Sequence, residues 1–135
     1  MKTNKTIVGD IILIPLEQGF RPAKVLYVSL RYEDTILLGL YKNLVADLHS
    51  SCDLEDTFEL LIYTSRAPIR KNRWHYIGHE ALRTTQQSLD FRVVAGERWQ
   101  GDTHLGPASE EDKTRLPEML VMGVRLVEEK AALIS

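Results

Sequence analysis

Cysteine is nearly absent. Cys52 is the one cysteine among 135 residues, so an intramolecular disulfide is excluded, and with it the stapled secreted scaffold that carries an even set. Its neighbours Ser51 and Asp53 supply no cation to lower the thiol pKa, so Cys52 reads as a small thiol at the edge of the core rather than a nucleophile. No apolar run approaches the roughly 18 residues of a membrane span. The stretch Met1-Lys2-Thr3-Asn4-Lys5-Thr6 lacks the apolar centre of a signal peptide. The expectation is a cytoplasmic protein with no membrane partner. A dominant charge is missing too: 17 Lys and Arg against 19 Asp and Glu leave a formal net charge of -2. That balance gives no global attraction to nucleic acid. G-x-S-x-G, P-loop and G-x-G-x-x-G motifs are all absent, so nothing in the sequence supports an enzyme and no cofactor is expected. Without repeats or a Pro/Ser-rich linker, residues 1–135 read as one domain.

What is present suits a packed core. At 44% hydrophobic and 27% charged, such a chain buries about two-thirds of its unfolded surface. Ile11 to Leu16 and Val25 to Val28 are apolar runs joined across Glu17-Gln18-Gly19-Phe20, which predicts a hairpin with Gly19 supplying the turn. Thr35 to Lys42 predicts a third strand, with a bulge or bend at Gly39. Asn43 to Asp56 reads as a short helix or long loop, with Leu44, Val45 and Leu48 as its apolar positions. Thr57 to Thr64 and Arg73 to His79 are β-rich. On the latter strand, Trp74 and Tyr76 would share one face, and His75, Ile77 and His79 the other. Ser88 to Ala95 would give a sixth strand, with Leu89, Phe91 and Val93 opposite Asp90, Arg92 and Val94. Gly96 to Gly106 reads as a surface loop carrying Trp99 and His104. Ser109 with Asp112 three residues on predicts a capped helix. Met119 to Met122 predicts a brief extended link. Val124 to Leu133 predicts a helix whose Val124, Val127, Ala131 and Leu133 face the sheet. Strands first and helices last argue for an α+β domain: a strongly curved antiparallel sheet of five to six strands, SH3-like or a partly open barrel, with a short C-terminal helix on it.

Few groupings suggest chemistry. His75 and His79 have the spacing of a zinc helix, but on a strand they stand about 13 Å apart, so no metal site is expected. Pro68 prevents a long helix through the basic connection Ser65 to Asn72. Arg66, Arg70, Lys71 and Arg73 beside Trp74 form a basic run with an aromatic platform. It reads as a solvated turn, as a surface for acidic protein groups, or as an RNA patch. Trp99 on its glycine-rich stretch is a plausible partner anchor.

Two families share parts of this sequence. Gly9-Asp10-Ile11 followed by Gly19-Phe20-Arg21-Pro22 resembles the opening of MazF/PemK-type toxins, which implies a small barrel that cleaves RNA. Gly9-Asp10-Ile11-Ile12-Leu13-Ile14-Pro15-Leu16 with Ala23-Lys24-Val25-Leu26 resembles the opening of the immunity protein 26 family of bacterial polymorphic-toxin systems. Arg73-Trp74-His75-Tyr76-Ile77-Gly78-His79 is similar to that family's R/K-W-x-x-I-G strand. Ala108-Ser109-Glu110-Glu111 and Val127-Glu128-Glu129 fall where its acidic helical tail lies. The second likeness spans most of the chain and implies a non-enzymatic inhibitor that docks on a cognate toxin domain, with nucleic acid not expected as a partner. The candidate partner-binding surface is Arg70, Lys71, Arg73, His75, Trp99 and His104.

Overall fold

The opening hairpin forms as the two apolar runs require. In the computed structural model, which describes residues 6–29, 34–42, 44–45, 58–83, 86, 91–94, 96–100, 102–116 and 121–134, β1 (Asp10–Leu16) pairs antiparallel with β2 (Gly19–Val28). Gly19 holds a φ of 141°, and a Cβ there would lie 2.7 Å from the Val45 carbonyl, so glycine alone fits this turn. Phe20 and Val45 exchange backbone hydrogen bonds across an isolated bridge. Val45 is thus extended rather than helical; most of the 43–56 segment, with Cys52, lies outside the described residues.

Antiparallel pairing continues through β3 (Thr35–Leu40) and β4 (Leu60–Ser65), while β5 (His75–His79) joins the far side of β1. The two-residue β9 (Val121–Met122) runs parallel to β4 and closes the order β5-β1-β2-β3-β4-β9. The sheet is not closed: β5 and β9 are its two edges. Of Ser88–Ala95, read as its sixth strand, the described residues Phe91–Val94 lie elsewhere. β6 (Phe91–Val94), β7 (Glu97–Gln100) and β8 (Thr103–Pro107) make a separate three-stranded sheet. The expected loop at Gly96–Gly106 is therefore mostly a hairpin. Its glycines are punctuation: Gly96 (φ 81°) turns the chain between β6 and β7, and Gly106 (φ 115°) follows the register shift in β8.

The bulges that curl the sheet fall away from Gly39. Register shifts leave Leu26 extra in β2 and Ile77 extra in β5. Gly39 stays in register opposite Lys24 and Leu61; a Cβ on it would meet the Phe58 ring at 2.5 Å. That glycine makes room for an aromatic ring, not for a bend.

Each face of the main sheet has its own cover. On one, Ile12, Ile14, Val25, Ile36, Leu38 and Ile62 pack with Trp74, Ile69, Val127 and Ala131. Ile69 comes from α1 (Ala67–Arg70), a single turn with Pro68 in its first positions, where its missing N–H costs nothing. Val127 and Ala131 come from α3 (Val124–Leu133). Leu133 does not join them and is 80% exposed: at 100° per residue it lies about 120° round the helix from Val127. The opposite face carries Leu26, Tyr27, Leu37 and Tyr63. The Arg92 guanidinium lies 5.0 Å from the Tyr27 ring centre and 5.5 Å from that of Tyr63. The small sheet is thus seated there by a cation on two aromatic faces. Between β8 and α3, α2 (Glu110–Arg115) carries the expected cap, with the Ser109 and Asp112 side chains reciprocally bonded to each other's backbone N–H. No described helix is long and apolar enough to cross a membrane.

Candidate partner-binding surface

Four of the six candidate residues fall together. Arg70 and Lys71 end α1, and Asn72 takes the left-handed conformation (φ 61°) that a short polar side chain tolerates. The chain then reverses so that the N–H groups of Arg73 and Trp74 both reach the Pro68 carbonyl. This turn parts Trp74 from the strand that follows. Trp74 is fully buried in the cluster of Ile12 and Ile14, and Tyr76, opposite Ile12, lies on the same side of the sheet but stays exposed; the bulge at Ile77 instead parts His79, opposite Asp10, from His75, opposite Leu13, so those two do not share the face expected for them.

Arg73 and Trp74 converge on one carboxylate. Arg73 donates from Nε (2.8 Å) and Nη2 (2.6 Å) to the two Glu128 oxygens, and Trp74 Nε1 donates to Glu128 Oε2 at 3.0 Å. The forked pair holds the Glu128 carboxyl below the usual carboxylate range, against the opposing pull of burial, and raises Arg73 in turn. Arg66 and Arg70 share Asp34, at 2.7 and 3.2 Å, and the hydrogen bond from Arg66 leads in keeping Asp34 ionised. Three of the four cations in the basic run thus have a carboxylate of the chain's own. Lys71 is exposed.

His75 is half-buried, its ring edge-on to Phe20 with centroids 6.1 Å apart. At the other end of β5, His79 Nδ1 lies 3.1 Å from Oδ1 of the buried Asp10, which also accepts from the Ile7 N–H. Among the described residues no three or more His, Cys, Asp or Glu side chains gather as metal ligands would.

Trp99 and His104 stand apart from this group, in the small sheet. They are cross-strand partners on β7 and β8 with ring centres 5.0 Å apart. Trp99 is 9% exposed and His104 lies over it, 3.4 Å from a Glu97 oxygen. The tryptophan is packing for the hairpin; the imidazole is what solvent meets.

Two buried cations carry structural weight that the sequence reading missed. Arg21 donates to the carbonyls of Ala131 (3.1 Å), Ile134 (2.8 Å) and Lys42 (2.5 Å), so it ties the end of α3 to β2 and satisfies carbonyls the helix leaves open. Burial lowers its pKa from the ordinary arginine value. Lys24 is fully buried and gives its three protons to Glu80 (2.9 Å), the Ala81 carbonyl (3.0 Å) and Gln86 (2.8 Å). The signal was present: each is a long cation inside a β2 run that is otherwise apolar, a placement that requires partners. Comparison with known proteins finds no matching family model, no matching curated protein and no matching solved structure.

Proposed function

We propose that this chain is a cytoplasmic, non-enzymatic inhibitor of the immunity-protein type, which neutralises a bacterial toxin domain by direct contact. The observation that carries the reading is the Arg73-Trp74 segment. The motif that resembles the immunity protein 26 strand ties the edge of the main sheet to α3 through Glu128, a residue of the stretch that resembles that family's tail. Both parts of the likeness meet at one corner, and exposed Arg70 and Lys71 lie beside them. Asp34 and Glu128 offset only part of the charge of Arg66, Arg70, Lys71 and Arg73, and a corner that stays net positive on a rigid support suits an acidic target, which it can steer by charge.

The alternative, an RNA-cleaving chain of the MazF/PemK type, needs free cations for phosphate. Arg66, Arg70 and Arg73 are instead turned toward Asp34 and Glu128, which favours the inhibitor reading. Co-expression with the toxin encoded beside this gene is the test. Rescue of growth and co-purification of the pair are expected. Growth arrest and defined RNA fragments on expression of the chain alone would replace the proposal with the ribonuclease reading.

A further inference from the structure

Glu128 occupies one edge of the Arg73 guanidinium and leaves another open. It accepts from Nε and Nη2, whereas a guanidinium carries five N–H groups in one plane. The second N–H of Nη2 and both on Nη1 therefore point away from Glu128, and no described residue accepts from Nη1. The Arg73 side chain is 54% exposed, so that edge is within reach of a partner.

The direction of the open edge is set from the core. Trp74 is fully buried, and its Nε1 holds Glu128 Oε2 at 3.0 Å. Glu128 in turn sits on α3 beside Val127, which is packed in the main core. A long side chain that would otherwise lose its rotamer freedom on binding is thus already held, and the cost of ordering it at an interface falls. We propose that Arg73, positioned by Glu128, is the anchor of the partner-binding corner, and that its open Nη1–Nη2 edge receives one carboxylate of the toxin. The proposal rests on the inhibitor reading and names the chemistry of its central contact. A carboxylate fits because its two oxygens match the paired N–H groups of a guanidinium edge. The charge fits as well: Glu128 offsets Arg73, and exposed Lys71, two residues earlier, keeps this end of the corner positive. One open edge serves one carboxylate, whereas a phosphate backbone needs a run of open cations, and Arg66 and Arg70 are turned to Asp34.

Binding kinetics of the full chain on the toxin encoded beside this gene test the proposal, because charge and positioning pull in opposite directions at Glu128. Glu128→Gln makes the corner more positive, so steering should quicken association. The glutamine amide cannot hold the guanidinium fork, so the complex should nevertheless dissociate about tenfold faster or more. Arg73→Lys keeps the charge and loses the planar fork; association should hardly change, while the lifetime of the complex falls by a similar factor. Arg73 is largely solvated, so this variant keeps the fold even if Glu128→Gln weakens it. In the double variant the two losses should not add, because Glu128 acts through Arg73. A Glu128→Gln chain that associates faster and dissociates no faster would reduce the corner to steering and overturn the proposal. So would a complex whose lifetime ignores Arg73→Lys. In both cases the wild type still binds and the inhibitor reading stands. A wild type that does not bind the toxin would remove that reading, and the anchor with it.

Discussion

Glu128 does two jobs with one carboxylate, and they separate by substitution. Arg73 is largely solvated, so its share of the pair contributes little to stability. Trp74 is fully buried, and its indole N–H would lose its acceptor in Glu128→Ala. That change is expected to cost about 1–3 kcal/mol in urea unfolding, against under about 1 kcal/mol for Arg73→Ala. The acid limb follows from the depressed Glu128 pKa. A carboxyl whose folded pKa lies below its unfolded value contributes stability that is complete above the unfolded value. That stability is lost as pH falls through the folded one. The urea midpoint of the wild type should therefore drop below the ordinary carboxylate range, and Glu128→Gln should show a shallower drop.

Lys24 and Glu80 make an unequal pair, since the ammonium is wholly buried and the carboxylate side chain is 40% exposed. Glu80→Ala strands a cation in the interior, with only the Ala81 carbonyl and Gln86 left to hold it. Lys24→Met removes the charge itself and keeps the volume. Glu80→Ala is therefore expected to destabilise more than Lys24→Met, a ranking that parallel thermal melts would check. If desolvation did not govern this site, the order would reverse.

At the scale of elements, periodicity made most of the strands legible, and α3 fell on Val124–Leu133 as expected. What remained hidden depends on contacts that have no period. Gly39 reads in sequence as a break in an apolar run, and only the Phe58 ring over it explains why a side chain is excluded. Gly39→Ala should force that ring aside and cost about 1–3 kcal/mol, measured by chemical unfolding. The β7–β8 hairpin was obscured because three glycines and a tryptophan in eleven positions look like a loop. Its strands are short, and their pairing is fixed by Trp99 against His104 rather than by alternation. Of the candidate surface, Arg70, Lys71, Arg73 and His75 came together because they are close in sequence. Whether Trp99 joined them was a question of tertiary docking, which no local pattern encodes.

Across the whole molecule, the main sheet is held between α3 on one face and the small sheet on the other, with polar ties at both interfaces. Arg21 binds the end of α3. Tyr27 and Ser29 donate to Asp102 at the β7–β8 turn, at 2.6 and 3.0 Å. These ties consume cations and carboxylates internally, so the small net charge of -2 says little about what the surface offers a partner. Locally the α1 corner is basic and exposed at Arg70 and Lys71. Exchanging both for glutamate leaves Asp34 its bond to Arg66 and touches no core residue. The double variant should therefore unfold close to the wild type. If the corner faces an acidic toxin surface, its association rate with that toxin should fall by about tenfold or more, because steering depends on the charge presented during encounter. The wild-type rate should also fall as salt shortens the Debye length, while the variant's stays nearly flat or rises. Stopped-flow association at low and physiological salt separates these outcomes. Equal rates and equal salt slopes for the two proteins would remove the basic corner from the docking surface.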